Sequence, residues 1–298
     1  VNEWAGRALD ALEKGEPAAL VSVLAIEGSA PREAGARMLV TASASVGSIG
    51  GGNLEFQAIL QARKALAEAP GAWRIQDYPL GPFLQQCCGG RVRLLIERLE
   101  PGQAGWLAAA GRPGRHHLET DLVAGRLERR FVDASDLTPI GARGAIPAAG
   151  ERMLEVFGTP LTPLLLFGAG HVGRAVARIL EGLPFTLSWH DEREGGNRME
   201  MAALAREATG VVLILTHDHA LDYQLAAASL AGPAQFIGMI GSATKRARFL
   251  RRLADEGFDE ATRSRLVCPI GLPGIAGKAP EVIAVAVAAQ LLQTAFSS

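Results

Sequence analysis

The sequence predicts an α/β protein of two domains, the second built on a doubly wound parallel sheet. Three observations point there. The chain has 298 residues, a length that suits about two domains. Its second half alternates short apolar runs with helix-like stretches, the pattern of a parallel sheet covered on both faces. Between the first of those runs and the first of those helices stands Gly168-Ala-Gly-His-Val-Gly173, the setting that a dinucleotide-type fingerprint requires. Hydrophobic residues make up 48% of the chain, enough for a large core.

In the first half, residues 3–14 read as a helix with Trp4, Ala8, Leu9 and Leu12 on one face, stopped by Gly15-Glu16-Pro17. Ala18 to Ile26 is strand-like, and Gly28-Ser29-Ala30-Pro31 forces a turn. Arg37 to Thr41 is a second strand. Gly47 to Gly52 is a glycine loop that leads into a helix from Leu54 to Glu68. Arg91 to Arg98 is a strand that leaves Cys87-Cys88-Gly89-Gly90. Residues 100–160 are rich in chain breakers, with a hairpin expected over Leu118 to Val132 around Gly125. The boundary falls near residues 145–160, which sets domains of 1–150 and 151–298.

From Pro163 the pattern changes. Leu164 to Phe167, Phe185 to Trp189, Val211 to Leu215 and Phe236 to Ile240 read as buried strands. Helices are expected over His171 to Glu181, about Leu221 to Leu230 and about Thr244 to Glu256. A last helix starts near Pro280, a residue suited to the first helical position.

Within the fingerprint, Gly168 permits the tight turn, Gly170 lets a pyrophosphate approach the backbone, and Gly173 allows close helix–strand packing. His171 opens the helix, whose first N–H groups and dipole favour an anion. Asp191 follows the second strand, where an acid can hold a ribose hydroxyl. At the end of the third strand, His217 and His219 can contact a phosphate or a metal. The alternative is a helix cap by Asp218 or Asp222 with solvated histidines. His190 and Cys268 are assigned structural roles. Gly50-Gly51-Gly52 at a helix start is a second anion nest, and Arg32 can add a bidentate phosphate contact. Glu55 is a further candidate for cofactor contact; the alternative is a structural role in the first helical turn, where the dipole favours a carboxylate. Cys87 and Cys88 beside a paired-glycine turn can ligate metal or carry sulfur, or they are two small core residues.

Some classes are disfavoured. A net charge of −1 and 5% aromatic residues show no footprint for nucleic acid or an anionic membrane surface. An odd count of cysteines without framework spacing suits the reducing cytoplasm. The N-terminus has no signal-peptide pattern, and the longest uncharged apolar stretch, Val282 to Leu292, is too short to span a bilayer. Tyr223 is followed four residues later by Ala227 rather than lysine, so the short-chain dehydrogenase pair is missing.

Several segments, in order, resemble the xanthine dehydrogenase accessory factors, the XdhC/CoxI family. They are Gly28-Ser-Ala-Pro-Arg-Glu-Ala-Gly35 with Met38, Gly47-Ser-Ile-Gly-Gly-Gly-Asn-Leu-Glu55 and Cys88-Gly-Gly-Arg-Val92. Then come Phe167-Gly-Ala-Gly-His-Val-Gly173, Asp191 with Arg193, Thr216-His-Asp-His-Ala-Leu-Asp222, Ile237-Gly-Met-Ile-Gly-Ser242 with Lys245-Arg246, and Pro269-Ile-Gly-Leu272. The resemblance implies an N-terminal α/β accessory domain and a C-terminal Rossmann-like domain, often in a homodimer. It implies a maturation factor rather than an enzyme. Such a factor binds the molybdenum cofactor (molybdopterin), protects it, and assists its sulfuration and insertion into xanthine dehydrogenase. A cysteine desulfurase is the implied sulfur donor.

Cys88 matches the family cysteine before Gly89-Gly90 and is the implied molybdenum contact through the cofactor; Cys87 is an extra thiol. Asn53 stands where carbon monoxide dehydrogenase accessory proteins often show cysteine, which favours the xanthine dehydrogenase branch. Cys268 stands where a histidine is common, and that histidine's role does not carry over. A nucleotide at the Rossmann loop is a further expectation. The competing readings are an NAD(P)-dependent oxidoreductase of unknown substrate and a thiol- or nucleotide-responsive regulator.

Overall fold

A computed structural model describes residues 3–81, 89–133 and 135–296, and the chain divides into two units, Val1–Pro160 and Leu161–Ser298. In the first unit the order is α1 (Glu3–Glu13), β1 (Ala18–Glu27), β2 (Arg37–Thr41), β3 (Ser45–Gly47), α2 (Gly52–Ala65), β4 (Trp73–Pro79), β5 (Arg91–Arg98), α3 (Ala104–Ala110), β6 (His116–Val123), β7 (Arg126–Phe131) and β8 (Arg152–Phe157). Five strands form an antiparallel sheet in the order β3-β2-β1-β5-β4, and three more form a second sheet in the order β7-β6-β8.

The continuous apolar run of β1 follows from burial on both faces. Ala19, Val21 and Val23 pack with Leu54, Ala58 and Ala62 of α2. Ala18 and Leu20 pack with Trp4 and Ala8 of α1 and Leu107 of α3 on the other side. Ile75 and Leu95 of the first sheet meet Leu122, Leu127 and Met153 of the second in a smaller cluster.

A buried ion network joins the two sheets. Arg37 of β2 donates to Glu155 of β8 at 2.5 Å, and Arg129 of β7 donates to Glu155 at 2.7 Å and to Glu97 of β5 at 2.6 and 2.8 Å. The Thr120 hydroxyl donates to Glu155 at 2.7 Å, and Gln103 donates to Glu97 at 3.0 Å. Burial alone would raise the Glu155 carboxyl, but the Arg129 and Arg37 guanidiniums outweigh it and hold the group down at about 2. Burial lowers Arg37 to about 10, so it stays a cation at neutral pH. Its Nε and Nη1 have no hydrogen-bond acceptor among the described residues. The guanidinium carbon lies 3.9 Å from the Phe157 ring centroid and 5.3 Å from that of Trp4, so ring faces stand in for the missing acceptors.

The second unit continues with β9 (Thr162–Phe167), α4 (His171–Leu180), β10 (Phe185–His190), α5 (Arg198–Glu207), β11 (Val211–Ile214), α6 (His219–Leu230), β12 (Phe236–Met239), α7 (Ala243–Asp255), α8 (Glu260–Ser264), β13 (Leu266–Val267) and α9 (Pro280–Phe296). Its strands are all parallel in the order β10-β9-β11-β12-β13. Alternate strand residues serve opposite faces, as a pleat requires. Val212, Ile214, Ile237 and Met239 pack under α5, α6 and α7 with Met201, Leu225 and Phe249. Leu164, Leu166 and Leu213 pack under α4 and α9 with Val176, Leu180, Val287 and Leu291.

The expected fold class is the one observed: an N-terminal mixed α/β unit and a C-terminal parallel Rossmann-like sheet. Strands β3, β4, β8 and β13 and helices α3, α5 and α8 add to the elements read from the sequence. No described helix is long and apolar enough to cross a membrane.

Candidate functional site

In the first unit, three of the singled-out segments meet at one end of the large sheet. Glu27 of β1 and Pro79 of β4 both pair with Arg91 of β5, and Gly47 pairs with Met38, so the loops that follow or precede these residues share that end. The Gly90 N–H donates to the Ser29 carbonyl at 3.2 Å. A Cβ on Gly28 would sit 3.4 Å from the Gly90 Cα, and one on Gly50 would run into the Pro31 ring and lie 3.4 Å from Arg32 Cγ. The 28–32 loop therefore bridges the 47–52 loop and the Gly89-Gly90 segment. Cys87 and Cys88, which precede Gly89, lie outside the described residues.

Gly50, Gly51 and Gly52 take φ of 126°, 72° and 63°, a run of left-handed conformations that side chains resist. The loop so shaped turns its N–H groups toward Glu55. One carboxylate oxygen of Glu55 accepts from the Ser48 hydroxyl at 2.7 Å, the Gly51 N–H at 3.0 Å and the Ile49 N–H at 3.1 Å. Burial pushes the Glu55 carboxyl up, but these donors together hold it below its usual range. Glu55 thus serves as the loop's own anion. Arg32 is exposed, without a partner among the described residues, and lines a cleft of about 530 Å³ with Trp4, Gly35, Arg37 and Ser48.

In the second unit, β9 has β10 on one side and β11 on the other, so the chain leaves it in both directions. The carboxyl ends flanking such a switch point are where doubly wound sheets bind ligands. The fingerprint lies there. A Cβ on Gly168, whose φ is 112°, would stand 2.5 Å from the Leu215 carbonyl oxygen and 2.9 Å from the Thr216 nitrogen. One on Gly173 would collide with the Gly168 carbonyl oxygen, while one on Gly170 would meet nothing within 4 Å. Packing accounts for the first and third glycines. The second faces open space, as an approaching ligand needs.

The loop is held from several sides. Trp189 Nε1 donates to the Gly168 carbonyl at 3.0 Å, Arg174 Nε donates to the Ala169 carbonyl at 2.9 Å, and the Ala169 N–H donates to Asp191. Asp191 also accepts from the Arg193 N–H at 2.8 Å and from its guanidinium at 3.0 Å on each oxygen. Arg193 holds the Asp191 carboxyl well below the usual carboxylate range, with burial opposing and the Ala169 N–H assisting. Both oxygens of Asp191 are engaged within the protein. His171, the first residue of α4, is exposed, as are His217 and His219.

Asp218 caps α6 by accepting from the N–H groups of Ala220 at 2.7 Å and Leu221 at 3.2 Å. Asp222 plays another part. It is fully buried, accepts the Thr216 hydroxyl at 2.6 Å, and pairs with the Lys245 ammonium. Arg198, which no sequence motif marks, spans Glu192 at 2.8 Å and Asp218 at 2.6 Å, tying the ends of β10 and β11 together. The signal for Asp222 was present: it lies on the buried face of α6 between Leu221 and Leu225, where a charge requires a counter-charge. Cys268 is buried, its thiol pushed up by burial, and His190 stacks on Phe167 at 5.8 Å. Among the described residues no group of three or more His, Cys, Asp or Glu is placed to hold a metal ion.

Comparison with known proteins follows the same division. A family model for the XdhC Rossmann domain matches residues 164–291, and one for the XdhC and CoxI family matches residues 11–79. The uncharacterized protein YqeB of Escherichia coli (strain K12) is 28% identical over 94% of this chain and 44% of its own length, so the chain spans less than half of that curated relative. A crystal structure of a xanthine dehydrogenase from Bacillus halodurans shares the fold, with a TM-score of 0.70 and 21% identity over 98% of this chain and 96% of that one. With models of one family matching in both of its units, the chain belongs to the XdhC/CoxI family.

Proposed function

We propose that this protein is an accessory factor for xanthine-dehydrogenase-type enzymes. It binds the molybdenum cofactor as cargo, protects it, and assists its sulfuration and insertion. It works in the cytoplasm as a homodimer, takes sulfur through a cysteine desulfurase, and catalyses no turnover of its own. Family membership supports the accessory role. The observation that carries the cargo reading is the meeting of the 28–32 loop, the 47–52 loop and Gly89-Gly90 at one sheet end, beside a cleft of about 530 Å³.

The residues there suit a ligand with a phosphate and a soft metal centre. Arg32 offers a guanidinium that has no partner among the described residues for bidentate contact with phosphate. A Cβ on Gly51 or Gly89 would meet no described atom within 4 Å, so backbone can be approached closely at both. Cys88, with Cys87 beside it, supplies a sulfur donor for the metal of such a ligand. Glu55 keeps the glycine loop in shape while the cleft takes its cargo. A nucleotide at Gly168–Gly173 is favoured by the open space at Gly170, which also keeps a nucleotide-responsive regulator as the second reading.

The test is anaerobic incubation with released molybdenum cofactor, desalting, and assay of retained molybdenum and pterin. Wild type should retain both in stoichiometric amount. Cys88→Ala should lose molybdenum, and Arg32→Ala should weaken retention of the pterin, with the folded state intact by circular dichroism. Wild-type protein that retains neither would remove the cargo reading and leave the nucleotide reading in front.

A further inference from the structure

The carboxyl ends of β11 and β12 carry a second cleft, of about 270 Å³, lined by Thr216, His217, His219, Gly241, Ser242 and Lys245. No residue of the Gly168–Gly173 loop lines it. Its polar groups can be accounted for one by one. Asp222 is fully buried, with one oxygen taken by the Thr216 hydroxyl at 2.6 Å and the other by the Lys245 ammonium. Its charge is therefore not presented to the cleft. Lys245 sends a second N–H to the Ile240 carbonyl at 3.0 Å. An ammonium has three donors. The third has no acceptor among the described residues, on a side chain that is only 9% exposed and lines the cleft.

The neighbours are set in the same sense. Ser242 Oγ accepts the Lys245 backbone N–H at 3.2 Å, which leaves its hydroxyl proton to donate. Arg248 Nη2 approaches His219 Nδ1 at 3.1 Å. A guanidinium only donates, so Nδ1 is the acceptor and the ring proton of His219 sits on Nε2. Of the side chains lining the hollow, Lys245, Ser242 and His219 each keep a donor to spare, while the Thr216 hydroxyl has given its proton to Asp222 and the His217 ring is exposed at the rim. Lysine, serine and histidine donors around one hollow, at the start of a helix, suit the oxygens of a tetrahedral oxyanion.

We infer that this cleft is a phosphate subsite, separate from the glycine loop, with Lys245, Ser242 and His219 as its ligands. It goes beyond the molybdenum-cofactor reading and does not rest on it. The phosphate is either free or the terminal group of a nucleotide, and calorimetry with inorganic phosphate and with AMP distinguishes them. Lys245→Gln should weaken both probes by about tenfold or more, the scale of one charge-assisted contact. His219→Leu removes an exposed ring together with its surface contact to Arg248 and should weaken them several-fold with the melting temperature little changed, which keeps the test valid if Lys245→Gln fails to fold. Gly170→Asp should leave phosphate binding intact. AMP binding tighter than phosphate, with the same losses, identifies a nucleotide; equal binding identifies free phosphate. The inference is overturned if wild type binds neither probe, if His219→Leu binds as wild type does, or if Gly170→Asp abolishes binding.

Discussion

A methyl group is the smallest probe of the glycine loops, and it separates their residues into two kinds. At Gly173 a Cβ meets the Gly168 carbonyl oxygen, which is fixed backbone. Gly173→Ala should cost about 1–3 kcal/mol of stability, as overpacking does, and urea unfolding should show it. Gly170→Ala meets nothing within 4 Å and has no positive φ, so its unfolding midpoint should match wild type. A ligand affinity that falls in Gly170→Ala would then report contact rather than misfolding. The roles of Gly168 and Gly173 were legible from their places between strand and helix. That of Asp222 was legible only in part: its place between Leu221 and Leu225 calls for a counter-charge, but a charged residue in a loop-to-helix segment also reads as a cap. Only the position of Lys245, 23 residues later, reveals it as half of a buried pair.

Among the elements, the start of α2 is held by a carboxylate from within its own first turn. Glu55→Ala would leave the Ile49 and Gly51 N–H groups and the Ser48 hydroxyl without their acceptor. In a partly exposed loop this should cost about 1–2 kcal/mol, and hydrogen exchange should quicken at Ile49 and Gly51 before the rest of α2 loosens. Strong periodicity made α1, β1, α2 and the strands β9 to β12 readable. Helix α3 was hidden because seven residues, mostly alanine, carry little pattern. Strand β8, Arg152–Phe157, was hidden for a different reason. Its Glu155 points into the interior, so the alternation of apolar and polar residues that marks a half-buried strand is broken at the residue that matters most.

For the molecule as a whole, the network of Arg37, Arg129, Glu97 and Glu155 is the buried polar link between the two sheets of the first unit. Glu155→Gln removes one charge from a buried set and should cost about 3–5 kcal/mol at neutral pH. Trp4 and Trp106 lie beside Arg37, so tryptophan fluorescence in urea reports the loss. The Glu155 carboxyl is lowered to about 2 in the folded protein, so its contribution is whole above the ordinary carboxylate range and is lost as pH falls toward 2. Wild type and Glu155→Gln should therefore converge in stability on acidification; a gap that stays constant would contradict the coupling. The same network bears on synthesis. Arg37 leaves the ribosome early, and its counter-ion Glu155 follows 118 residues later. Until then the guanidinium has neither the Glu155 carboxylate nor the Phe157 ring, its nearest aromatic face, and sealing it in the interior is unfavourable. A nascent chain stalled before Arg152 should stay protease-sensitive throughout, and protection should arrive in one step when the last strand of the unit clears the exit tunnel.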